Sequence, residues 1–133
     1  MYKRQEYQKV SQQVVQLNAA ANVQSQEFAR AGKALAAALD RSPNDANAHY
    51  QMGRLLWAQG GAANAQPALD AFGNAIQLNP TFALPWRDAG LVLYEVRQVN
   101  HAARAFERYL QLAPDAPEAP QIRAFLESIR VPQ

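Results

Sequence analysis

The chain has 133 residues, enough for one domain with a core of its own but too few for two. It contains no cysteine, which excludes a disulfide framework, a thiolate zinc site and a cysteine nucleophile. Thirteen basic side chains, ten of them arginine, face eleven acids for a formal charge of +2, and no cluster or stripe of Lys and Arg stands out, so a nucleic-acid partner is not expected.

From Tyr7 the apolar positions Tyr7, Val10, Val14, Leu17 and Ala21 alternate steps of three and four, which places them on one face of a helix over residues 3 to 23. The rest of that helix is rich in glutamine. Asn22 and Ser25 supply a break, and Phe28, Ala31, Leu35, Ala38 and Leu39 line the apolar face of a second helix. Ser42-Pro43-Asn44-Asp45 reads as a turn, with Asn44 or Asp45 as N-cap of a third helix, because a short side-chain oxygen there accepts from free backbone N–H groups. The third helix carries Met52, Gly53, Leu56 and Trp57, and Gly60-Gly61 marks a flexible connector. Pro67 fits the first turn of a fourth helix, where its missing N–H has no intrahelical partner. That helix runs through Phe72 and Ala75 to Leu78.

Thr81 is the expected cap of a fifth helix, with Pro85 in its first turn and Trp86, Ala89, Gly90, Leu93 and Tyr94 along it. A sixth helix from about Asn100 to Leu112 presents Ala102, Ala105, Phe106, Tyr109 and Leu110. Pro114-Asp115-Ala116-Pro117 opens a seventh through Ile122, Phe125, Leu126 and Ile129, whose other face is polar and suits the end of a stack. No window provides the roughly 20 mostly apolar residues of a membrane-spanning helix, so direct membrane insertion is not expected. Glutamine and asparagine break every apolar run before residue 30, unlike the core of a signal peptide. A cytoplasmic location is the expectation, with a periplasmic one if a signal or anchor lies upstream.

One pattern occurs three times: Ala31-x3-Leu35-x2-Ala38 before Pro43, Ala68-x3-Phe72-x2-Ala75 before Pro80, and Ala102-x3-Phe106-x2-Tyr109 before Pro114. Pro80 and Pro114 are 34 residues apart, Pro43 and Pro80 are 37, and the three extra residues fall at Gly60-Gly61. With Trp86-x2-Ala89-Gly90-x2-Leu93 and His49-x2-Met52-Gly53-x2-Leu56 ahead of the last two units, the chain resembles the tetratricopeptide repeat, whose pattern is Trp-x2-Leu-Gly-x2-Tyr, Ala-x3-Phe and Pro over about 34 residues. The resemblance implies an all-α solenoid of antiparallel helix pairs, about seven helices in one domain. Its divisions are a degenerate first unit with a long N-terminal helix (1–43), a second unit (44–80), a third (81–114) and a capping helix (115–133). Small residues at Gly53, Gly90, Ala68 and Ala102 let two helices approach, and Trp86, Phe72 and Phe106 fill the space between successive hairpins.

The same resemblance implies a concave face, lined by the first helices of the units, that binds a protein or peptide. The matching positions are Asn47, Tyr50, Arg54 and Trp57, then Leu84, Arg87, Leu91 and Tyr94. Aromatic rings give contact area at low entropy cost and arginine holds a carboxylate, so the set suits a peptide with an apolar anchor and an acid. Asp88 would repel a terminal carboxylate, which argues against a chaperone-tail receptor. Tyr7, Val10 and Val14 form a second surface that could zip against another copy, so a homo-oligomeric assembly or secretion-chaperone role, or the soluble part of a membrane-anchored assembly factor, is the alternative. Catalysis is not expected. His49 and His101 lack the partners of a metal site or a base, His49 reads as packed or half-buried, and Gly60-Gly61 lacks the strand and lysine of a phosphate loop. Neither metal nor cofactor is implied.

Overall fold

The computed structural model describes residues 24–130. A helix over residues 24–41 (α1) is followed by α2 (Ala46–Gly60), a 3-10 turn (Gly61–Asn64), α3 (Ala65–Leu78), α4 (Leu84–Glu95), α5 (Val99–Leu112) and α6 (Ala119–Arg130), with no strand among the described residues. The expected first helix, with Tyr7, Val10 and Val14, lies outside them.

Within α1 the half-buried positions are Phe28, Ala31, Gly32, Leu35, Ala38 and Leu39, the face the periodicity assigns. Ser25, expected to break the chain, is helical. A Cβ on Gly32 would stand 3.6 Å from the Leu55 side chain, which places α1 against α2. The turn between them closes through Asp45 N–H to the Ser42 carbonyl (3.2 Å), and the Asp45 carboxylate accepts from Ala48 N–H at 3.0 Å, capping α2 as expected.

The Gly60-Gly61 stretch is not a loose connector. α2 continues to Gly60, Gly61 takes φ 52° and returns its N–H to the Trp57 carbonyl, and the chain goes straight into the 3-10 turn. The Asn64 carboxamide donates to the Leu56 carbonyl at 2.9 Å, satisfying a helix-end acceptor that would otherwise need water. A Cβ on Gly60 would fall 2.3 Å from the Asn64 carboxamide nitrogen, so that glycine makes room for the bond. Thr81 does not cap α4 either. Its N–H and hydroxyl both donate to Asn79 Oδ1, and the N-cap residue is Ala83, with no side-chain bond; Pro85 occupies the first turn as expected.

Two antiparallel pairs, α2 with α3 and α4 with α5, form the body, joined by α3 against α4 and closed by α6 on α5. Each pair turns on one glycine. A Cβ on Gly53 would lie 2.5 Å from the Phe72 ring, and one on Gly90 would lie 2.7 Å from Phe106, so each ring sits directly on the facing backbone. Phe72 and Phe106 thus wedge inside their own pairs, closer in than the expected place between hairpins, because the bare glycine leaves a slot only a flat ring fills. One cluster gathers Tyr50, Ala68, Phe72, Ala75, Ala89 and Val92; the other gathers Ala102, Phe106 and Leu126 under Phe125, Ile122 and Ile129. α4 ends with Gln98 N–H on the Leu93 carbonyl (2.8 Å) and Arg97 at φ 66°.

Candidate functional site

The inner face is built from α2 and α4 lying side by side, with the start of α6 beyond. Successive turns of α2 present Asn47, Tyr50, Arg54 and Trp57, and successive turns of α4 present Leu84, Arg87, Leu91 and Tyr94, a spacing of three or four that keeps each set on one side of its helix.

These eight residues play unlike parts. Asn47 is exposed. Tyr50 is only 2% exposed, its ring lying 5.8 Å from Phe72 and 5.2 Å from Phe82, so it supports the face from beneath and offers no ring to a ligand. Leu84 likewise packs against the Tyr50 cluster. The buried Tyr50 ring departs from the expected groove, since burial inside the α2–α3–α4 core competes for large apolar side chains, whereas Leu84, like Trp57, stays half-buried against that cluster. Trp57, Ala58 and Leu91 line a cleft of about 240 Å³ between α2 and α4, with the buried Phe72 and Val92 as its floor. Leu91 is 45% exposed and Tyr94 40%, and Tyr94 meets Phe125 of α6 edge to face at 4.9 Å.

Polar groups run along the same face in one chain. The Tyr50 hydroxyl donates to Asp88 Oδ2 at 2.5 Å, Arg87 Nε donates to Asp88 Oδ1 at 3.0 Å, and the other end of Arg87 donates to Glu118 Oε1 at 2.9 Å. The Tyr109 hydroxyl donates to the same Glu118 oxygen at 2.5 Å. Burial and then the bond to its carboxylate push each phenol up to about 12. Glu118 is held below the ordinary carboxylate value by the Tyr109 hydroxyl, a backbone bond and Arg87. Burial works against the charge on Arg87, yet its bonds to Asp88 and Glu118 raise its pKa above the usual guanidinium value. Arg54 stands apart, its guanidinium 5.7 Å over the Tyr50 ring and its Nε 4.0 Å from Asp88, with the side chain 56% exposed.

The sequence therefore misses Glu118, Phe72, Val92 and Ala58 as parts of the face, and misreads Asp88 as an uncompensated acid. Residues 87 and 88 are adjacent on a helix and would not be expected to bond each other. Only the packing of α2 on α4 gives Asp88 its second donor. A second, more open cleft of about 480 Å³ lies where the 3-10 turn stands beside the α4–α5 turn, with Leu69, Leu93 and Val96 inside and Gln66, Gln98 and His101 at its rim. His49 is half-buried and bonds the Pro43 carbonyl at 2.9 Å, a role within its turn. Among the described residues there is no group of three His, Cys, Asp or Glu arranged to hold a metal, and no helix long and apolar enough to cross a membrane.

Among solved structures the chain is similar to the type III secretion translocator chaperone SycD of Yersinia enterocolitica, with TM-score 0.70 and 17% identity over 80% of this chain and 74% of that one. Two crystal structures of MamA give TM-scores of 0.45 and 0.44 at 19% identity, over 80% and 78% of this chain and 75% and 79% of those chains. At such identities the likeness is one of fold. No curated protein matches the sequence. The sequence profile of the tetratricopeptide repeat matches residues 61–127, half of the chain, and spans both glycine-on-phenylalanine wedges' second helices and the turn that closes α4. With its antiparallel pairs stacked in a row and its inner helices aligned, the chain belongs to the tetratricopeptide repeat family.

Proposed function

We propose that the chain is a protein-interaction module that holds a segment of a partner protein on the inner face of α2 and α4. The observation that supports this is the cleft between those helices: it is lined by the half-buried Trp57 and the exposed Leu91, beside the exposed Arg54. Apolar surface left open beside ordered charges is the usual mark of a recognition site. The reading is one of binding without catalysis. One such cleft is short, so an affinity on the order of micromolar is expected for a peptide-sized partner.

The test uses one substitution on each side of the molecule. Leu91→Glu puts a charge at the mouth of the cleft, whereas Asn74→Glu changes an exposed position on α3. Partners retained from the native source by the intact chain should be lost with Leu91→Glu and kept with Asn74→Glu, both variants melting like the parent. Loss with Asn74→Glu alone would move the site to the outer face.

A further inference from the structure

The hydrogen-bond inventory of the inner face indicates what an occupant must bring. Both acids there are supplied from within the fold: Asp88 by Tyr50 and Arg87, Glu118 by Tyr109 and Arg87. Arg54 is the exception. Its one ionic contact, at 4.0 Å, is longer than a hydrogen bond, so among the described residues its five N–H donors remain open on an exposed side chain. The same guanidinium, with Trp57 and Leu91, lines the cleft floored by Phe72 and Val92. This place therefore offers hydrogen-bond donors and an apolar lining side by side. A cationic ligand would meet Arg54 and would have to displace Arg87 or Tyr50 to reach Asp88, so the charge preference runs toward anions.

We propose that the cleft takes an internal stretch of partner polypeptide in which a leucine or aromatic side chain has an aspartate or glutamate nearby, the apolar group seated between Trp57 and Leu91 and the carboxylate on Arg54. This rests on the inner-face reading and gives it a sequence preference. The carboxylate is a side-chain one. A charge-assisted bond to arginine lost at a half-exposed site corresponds to about tenfold in affinity.

The test begins with random peptides displayed on phage and panned against the full chain. Enriched sequences are remade with acetylated and amidated ends, which removes any terminal carboxylate, and are titrated by calorimetry. The proposal expects them to pair an apolar residue with an acid. Exchanging that acid for its amide should weaken binding to the parent about tenfold and leave binding to Arg54→Gln unchanged. Ala58→Leu, which narrows the cleft beside Trp57, should abolish binding of every such peptide. The acid-to-amide comparison is made on the peptide, so it reads the same contact even if a variant folds poorly. Peptides blocked by Ala58→Leu but indifferent to the acid would overturn the Arg54 anchor and leave the inner face as the binding surface. Peptides indifferent to both changes, or no enrichment at all, would overturn the anchor and the inner-face reading together.

Discussion

Arg97 holds a backbone angle, φ 66°, that an L side chain adopts at a cost of about 1 kcal/mol and that glycine adopts freely. It ends α4 because the Gln98 N–H must reach the Leu93 carbonyl, and the chain reverses only through a left-handed residue there. Arg97→Gly is therefore expected to raise the melting temperature by a few degrees; an unchanged or lower value would show that the arginine side chain makes a compensating contact. Nothing in the sequence singles out this position, since arginine carries no sign of a left-handed turn. Tyr50 illustrates the opposite difficulty. Its position in the repeat pattern assigns it to the inner face, and it does lie there, but its ring is drawn into the core by Phe72 and Phe82 and only its hydroxyl reaches the surface chain, at Asp88. Arg87 is similarly tied, to Asp88 and Glu118, so reversing its charge would gather three carboxylates and destabilise the fold, which makes Arg54 and Leu91 the cleaner probes of binding.

At the scale of helices, glycine has two opposite consequences in one molecule. Gly90 lies where a Cβ would come 2.7 Å from the fully buried Phe106 ring, so Gly90→Ala should cost about 1–3 kcal/mol despite alanine's better helix propensity. Gly73, on the exposed side of α3, would meet nothing within 4 Å, so Gly73→Ala should instead stabilise by about 0.5–1 kcal/mol. Urea unfolding of the two variants checks both signs, and equal signs would mean that the helices are not seated as described. The helices themselves were legible because apolar residues recur every three or four positions. Their ends were less so. Asp45 capped α2 as its chemistry predicts, whereas Thr81 was taken by Asn79 and α4 began without a side-chain cap, and the Gly60-Gly61 stretch stayed helical because Asn64, four residues on, covers the Leu56 carbonyl.

Across the whole molecule the chain Tyr50–Asp88–Arg87–Glu118–Tyr109 ties α2, α4, α5 and the turn before α6 together. Glu118 has its folded pKa lowered, chiefly by the Tyr109 hydroxyl, so the unfolded chain takes up its proton first as pH falls. Its contribution is then complete above the unfolded value of 4.5 and is lost as pH drops through the lower folded value. The melting temperature of the parent should fall on acidification below that point. Glu118→Gln should melt lower at neutral pH and show a shallower acid decline; parallel acid profiles for the two would mean that the bonds to Tyr109 and Arg87 carry no weight in solution.

The sequence by itself determined the helical class, the recurring pairs α2–α3 and α4–α5 and the close approaches at Gly53 and Gly90, because each of these depends on spacing within a few turns of chain or on a repeat interval. The tertiary structure alone decided which inner-face residues are exposed and which acids are already satisfied. Tyr50 and Asp88 are 38 residues apart and Arg87 and Glu118 are 31 apart. Contacts at that distance leave no periodic trace, since they depend on how one helix pair settles against the next.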